Sequence, residues 1–248
     1  MMKKIGLNCI YSMLLGILLF QFSGCSKEED DDQNPTNGKT TAVFNPDKTY
    51  GSMTDQDGNT YKTITIGPQT WMAENLRTTK YNEGTLIPNI IEVSQWYYLS
   101  NGAYCNYNNS VNIDTIATFG RLYNWYAVNT GKLCPIGWHV PNSEEFLELT
   151  DYLGGLNIAG GKLKETGTTH WTSPNFGTTN ESGFTALPGG YRHRPGKYEG
   201  IGNQGFWWST AVSSETDADY RMLSSASEGF PHSDTDKELG LSVRCLKD

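Results

Sequence analysis

The side chains suited to metal binding or nucleophilic chemistry are few: Cys9, Cys25, Cys105, Cys134 and Cys245, with His139, His170, His193 and His232. The histidines are scattered, and no HExxH pair or closely spaced cysteine pair groups them as a zinc site would require. His139, between Trp138 and Val140, reads as a structural histidine at a core edge. Asp55, Asp57 and Asn59 mimic the opening of a calcium loop, but an EF-hand needs glycine at the sixth position and glutamate at the twelfth, where Thr60 and Ile66 stand. The cluster therefore reads as a plain turn. Cys105 sits in Tyr104-Cys105-Asn106-Tyr107, which supplies neither a base nor positive charge to activate a thiol, so it reads as a small buried hydrophobe. No G-x-S-x-G elbow is present. These residues lead to the expectation of a protein that is not an enzyme and has no metal or cofactor.

Recognition chemistry is better represented. Aromatic rings and arginines anchor binding surfaces, and flat rings stack on sugar faces. On that ground Tyr191, Arg192, Trp208, Tyr220 and Arg221 are the candidate ligand-binding residues. Trp207 and Trp208 must point to opposite faces if their segment is a strand, which sends at least one into the core. Residues 211–239 carry few large apolar side chains and read as a ligand-facing loop. A net charge of -8 on 248 residues leaves no basic footprint for nucleic acid. The oligomeric state is left open.

The elements that must position these residues are short. Tyr50 to Gly67 alternates around the Asp55–Asn59 turn and reads as a β-hairpin. Trp71 to Arg77 is a second short element, and residues 81–112 are irregular. Phe119, Leu122 and Tyr126 fall at helical spacing before Gly131, which predicts a helix there. After Pro141, Asn142 and Glu145 make a capping box ahead of Phe146, Leu149 and Leu153 on one face. A further helical piece spans about Ala159 to Glu165, and Leu241 to Leu246 alternates as a last strand. The class is α+β, loop-rich, with two or three short helices and twisted, mostly antiparallel strands.

The first residues address the compartment. Lys3 and Lys4 precede an uncharged stretch from Ile5 to Phe22, which is the pattern of a secretory signal over residues 1–24. Phe22-Ser23-Gly24-Cys25 resembles a bacterial lipobox, in which Cys25 takes the lipid and becomes the mature terminus. The acidic run from Glu28 to Asp32 resembles the export signal of surface lipoproteins in Bacteroidetes. Residues 25–47 then read as a flexible linker and residues 48–248 as one domain. The expectation is an outer-membrane lipoprotein, exposed at the cell surface and joined to the membrane through that lipid.

Six blocks resemble the Fibrobacter succinogenes major paralogous domain, a family of secreted and lipoprotein domains. They are DGNTYKT at Asp57 to Thr63, QTWMAENLR at Gln69 to Arg77, GRLYNWYAV at Gly120 to Val128, CPIGWHVP at Cys134 to Pro141, GFTALPGGYR at Gly183 to Arg192 and SVRC at Ser242 to Cys245. The resemblance implies a C-type-lectin-like fold in which the two chain ends pair as neighbouring strands. It also implies that Cys134 and Cys245 come to one sheet edge, where they can join as a disulfide and leave Cys105 alone; pairing of Cys105 with Cys134, or three reduced thiols, stay open as alternatives. The middle of the chain is similar to the formylglycine-generating group of the same fold. That group needs a cysteine pair near the end of the domain, where only Cys245 stands, so the likeness is to scaffold. The sugar-binding tripeptides of calcium-dependent C-type lectins do not occur. Asp114-Thr115-Ile116 resembles a short Bacteroidetes O-glycosylation motif, with Thr115 as the acceptor. The expected function is a non-catalytic binding or adhesion module for a glycan or surface protein. The alternatives are an enzyme on the formylglycine-generating scaffold using Cys105 or Cys245, and a structural envelope or fimbria-associated component.

Overall fold

A computed structural model describes residues 34–248. The signal segment, Cys25 and the acidic run lie outside the described residues. In chain order the strands and helices are β1 (Gly51–Thr54), β2 (Thr60–Ile66), β3 (Gln69–Met72), α1 (Val93–Tyr97), β4 (Tyr104–Cys105), α2 (Ile113–Phe119), β5 (Leu122–Tyr123) and α3 (Trp125–Val128). They continue as β6 (Trp138–His139), α4 (Ser143–Tyr152), α5 (Ala159–Leu163), β7 (Gly189–Arg192), β8 (Tyr198–Ile201), β9 (Gln204–Val212), β10 (Asp217–Ser224), β11 (His232–Asp236) and β12 (Leu246–Lys247). The class is α+β and rich in strands, with five short α-helices among the described residues where two or three were expected, because loops such as Val93–Tyr97 and Ile113–Phe119 each close a short helix of their own.

Two five-stranded sheets carry the fold, one in the order β1-β2-β3-β12-β6 and the other β11-β10-β9-β7-β8. Pairing is antiparallel except between β7 and β9. The last strand lies between β3 and β6, with Leu246 opposite Trp71 on one side and His139 on the other. The hairpin of β1 and β2 turns where the sequence places it. Asp55 accepts the amides of Asp57 and Asn59 at 2.9 Å, the Asn59 side chain at 2.8 Å and the Tyr61 hydroxyl at 2.6 Å, so this carboxyl group is engaged as a turn organiser.

β9 divides two apolar cores. Trp207 packs with Trp71, Phe146 and Phe230, whereas Trp208 packs on the other side with Tyr123 and Trp125. Both indoles are satisfied, Trp207 donating to Asn75 Oδ1 at 2.9 Å and Trp208 to the Tyr123 carbonyl at 2.8 Å. Asn75 Oδ1 also accepts from the buried Arg244, whose guanidinium donates to the Phe184 and Thr185 carbonyls and lies 4.2 Å from the Phe184 ring. Burial holds the Arg244 pKa down to about 9, partly offset by Glu74. α4 begins with the capping box read from sequence, Asn142 accepting the Glu145 amide and Glu145 accepting the Asn142 amide.

Cys134 and Cys245 are disulfide-bonded, 111 residues apart, with their Cα atoms 6.0 Å apart. Cys105 is a buried free thiol.

Three expectations are corrected. The segment from Phe119 to Val128 is not one helix: α2 ends at Phe119, β5 pairs with β4, and α3 starts anew under an Asn124 cap. Gly120 forces the break, since its φ of 75° suits glycine and a Cβ there would lie 2.6 Å from Asn75 Cβ. Residues 211–239 are largely strand, β10 and β11 extending the sheet from β9. The linker expected to run to residue 47 is shorter, because residues 34–45 strap across the domain. Asn34 and Asn37 donate to the Asp57 and Gly58 carbonyls, Thr36 bonds Asn59 and Arg77, and the Thr41 amide donates to Thr118 Oγ1. Farther along, the Val43 amide donates to Glu165 at 2.6 Å, and Asn45 donates to the Asn180 carbonyl. Apart from Phe44, which packs on Tyr50 and the core beside it, these contacts are polar, so low apolar content conceals them.

Candidate functional site

Strands β7, β9 and β10 present alternate side chains to a cleft of about 360 Å³. Tyr191, Phe206, Tyr220 and Met222 form its walls, and His193, Gln204 and Asp236 stand at its rim. The rings are in continuous contact: Tyr191 meets Phe206 edge to face at 4.7 Å, and Phe206, itself only 7% exposed, meets Tyr220 at 5.6 Å. Met222 is opposite Phe206 in the strand register and so shares its face of the sheet.

Tyr191 and His193 are fixed from behind. Both reach Glu199 Oε2 from the neighbouring strand, the phenol donating at 3.1 Å and His193 Nε2 lying at 2.9 Å, while Lys197 pairs with Oε1. Those hydrogen bonds, from Lys197 first and then His193 and Tyr191, hold the Glu199 pKa down to about 2. Desolvation, with the bond to Glu199, pushes the Tyr191 phenol up to about 12. The cleft thus offers ring faces with a neutral phenol, an amide and a carboxylate beside them. Such a set can stack on an apolar ring face and bond to hydroxyl groups.

Of the five candidate ligand residues, Tyr191 and Tyr220 line this cleft. The other three are corrected. Arg192 is fully buried, its guanidinium 4.3 Å from the Trp96 ring and donating to the Ile90 and Ile91 carbonyls. Trp208 is fully buried in the core. Arg221 is buried beside Phe146 and Phe230 and donates to the Ser143 carbonyl at 3.3 Å. The alternation of a strand explains two of these: a residue next to Tyr191 or Tyr220 faces the other way. His193, Gln204 and Phe206 were missed, and Met222 and Asp236 were marked only as part of the ligand-facing segment 211–239. Parity carried the signal for two of them, because His193 follows Tyr191 by two residues and Met222 follows Tyr220 by two.

Other marked residues lie elsewhere. Thr115 is half-buried in the first turn of α2, its hydroxyl donating to the capping Asn112 at 3.1 Å. Burial pushes the Cys105 thiol up, more than nearby Arg192 and Tyr198 draw it down, and Cys245 is held in the disulfide. Neither sulfur is poised as a nucleophile. Gly200-Ile201-Gly202-Asn203-Gln204-Gly205 spells G-x-G-x-x-G, yet it links strand β8 to strand β9 and leads into no helix, which phosphate binding by that pattern requires. Among the described residues, no three His, Cys, Asp or Glu side chains group as a metal site.

The fold and cleft together define a strand-rich α+β domain with an aromatic-lined cleft. The model of the Fibrobacter succinogenes major domain matches residues 64–247, and the chain belongs to that family. No curated protein and no solved structure matches the chain.

Proposed function

We propose that this protein is a non-catalytic binding module that takes a glycan in the cleft between β7, β9 and β10. The observation that carries the reading is the cleft in which the partly exposed rings of Tyr191 and Tyr220 pack on Phe206, with Gln204 and Asp236 beside them. Rings of this kind cover the apolar faces of sugars, and the polar rim selects hydroxyl geometry. A C-type-lectin-like topology is part of the proposal, supported by the pairing of β12 with β3 and by the family blocks. So is a surface lipoprotein anchored through Cys25, supported by the lipobox and the acidic run.

Electrophoresis through gels containing xylan, mannan, starch or pectin tests the binding. At least one polysaccharide should retard the protein, and Tyr191→Ala with Tyr220→Ala should abolish the retardation while the circular dichroism spectrum is kept. Equal mobility in every gel, or retardation indifferent to the double variant, overturns the reading. The anchor is tested by Cys25→Ala, which should leave unprocessed precursor, and by protease shaving of intact cells, which should release the domain before lysis.

A further inference from the structure

The cleft has a neighbour. On the far side of the β7–β8 turn, Glu92, Val93, Ser94, Tyr97, Tyr98 and Pro195 line an open groove of about 520 Å³. The turn belongs to both sites: His193 stands in the cleft and Pro195 in the groove, two residues on and so at most ~7 Å apart along the chain. The groove is built on a firm base. Trp96 is fully buried under the Arg192 guanidinium, which fixes α1 against β7 and turns its outer residues to solvent. The turn sits directly on that helix, since a Cβ at Gly196 would lie 2.6 Å from Val93 Cγ2. Arg194 covers Tyr97 at 4.7 Å, while Tyr98, 80% exposed, meets Tyr97 edge on and keeps an open face.

Charge narrows what fits. Neither lining contains a lysine or arginine, whereas each contains a carboxylate, Asp236 in the cleft and Glu92 in the groove. Nearby, Lys197 pairs with Glu199 and Arg194 with Glu238, and Lys237 is turned to the Ser214 and Glu215 carbonyls. An acidic polymer would meet the two lining carboxylates here.

Resting on the reading of the cleft as a glycan site, we infer that the ligand is an extended neutral polysaccharide that runs from the cleft over the β7–β8 turn onto Tyr98 and Val93. The face then has two aromatic subsites and reads chain length.

Calorimetric titration with oligosaccharides of about two, four, six and eight units, hydrolysed from the neutral polysaccharide that retards the protein most, tests this. Affinity should climb with length, and Tyr98→Ala should weaken the longest oligomer roughly two- to tenfold, as expected for one aromatic stack, while leaving the shortest unchanged. Tyr98 is a surface residue, so folding of the variant is not at issue. Affinity independent of length, or a longest oligomer indifferent to Tyr98→Ala, overturns the second subsite while the cleft reading stands. Loss of the shortest oligomer's affinity in Tyr191→Ala is the separate check on the cleft. Tighter retention by pectin than by any neutral polymer overturns the charge argument. Capture of an envelope protein with no retention by any polysaccharide overturns both readings.

Discussion

Replacing both Cys134 and Cys245 by alanine should lower stability by an amount that follows from topology. The bond closes a loop of 111 residues. In the chain-entropy treatment such a closure removes unfolded-state freedom worth about 4.8 kcal/mol at 25 °C. Both sulfurs are buried, and the small voids left by alanine add about 1 kcal/mol. For a domain of this size each kcal/mol moves Tm by about 2–4 °C, so the double variant should melt roughly 10–20 °C below the parent. Scanning calorimetry measures the shift. Urea unfolding supplies an independent mark of the mechanism: an uncrosslinked denatured chain is more expanded, so the m-value should rise as the midpoint falls. A Tm change below about 3 °C, with an unchanged m-value and intact near-ultraviolet dichroism, would refute the reasoning. It would mean that the denatured chain already holds these two segments together.

Three further outcomes follow from single sites. His139 faces Asp248 at 2.6 Å through Nδ1 and Glu145 at 2.8 Å through Nε2, an arrangement that needs both ring protons. Burial lowers its pKa, but the bonds to Asp248 and Glu145 outweigh this and leave it raised above 6.5. Its contribution is therefore full below about pH 6.5 and fades as pH rises through the higher folded value. The Tm gap between parent and His139→Gln should shrink from pH 5.5 to pH 8.5, and a gap that widens contradicts the assignment. Glu165→Ala removes the acceptor of the Val43 amide and of His170. Hydrogen exchange at Val43 should then speed by at least tenfold while Leu149 in α4 is unaffected, whereas equal exchange at Val43 would show the strap to be held elsewhere. Site-resolved alkylation should leave Cys105 untouched in the native protein, modify it in denaturant without reductant, and reach Cys134 and Cys245 only after reduction.

What the sequence revealed depended on how local the physics was. The capping box at Asn142 and Glu145, the turn around Asp55 and the opposite facing of Trp207 and Trp208 are decided within a few residues, and all are present. The disulfide needed the family likeness, because nothing within 111 residues of chain says which thiols meet. The helical spacing around Leu122 misled, since a tertiary contact at Gly120 overrides the periodicity. Arg192 and Arg221 look like recognition residues in composition, yet stacking on Trp96 in one case and packing beside Phe146 in the other takes them inward. The groove at Tyr98 was invisible for another reason: it joins α1 to a turn about a hundred residues away.

The strap gives the tether a measure. If Cys25 carries the lipid, Asn34, whose side chain donates to the Asp57 carbonyl, lies nine residues on. Even fully drawn out, such a span reaches only about 30 Å. On that proposal Asn34 would stay within about that distance of the lipid-bearing residue, which favours ligand in the layer next to the lipid. Ligand would have to come in to the surface, and polymer chains long enough to hang into that layer would be met first.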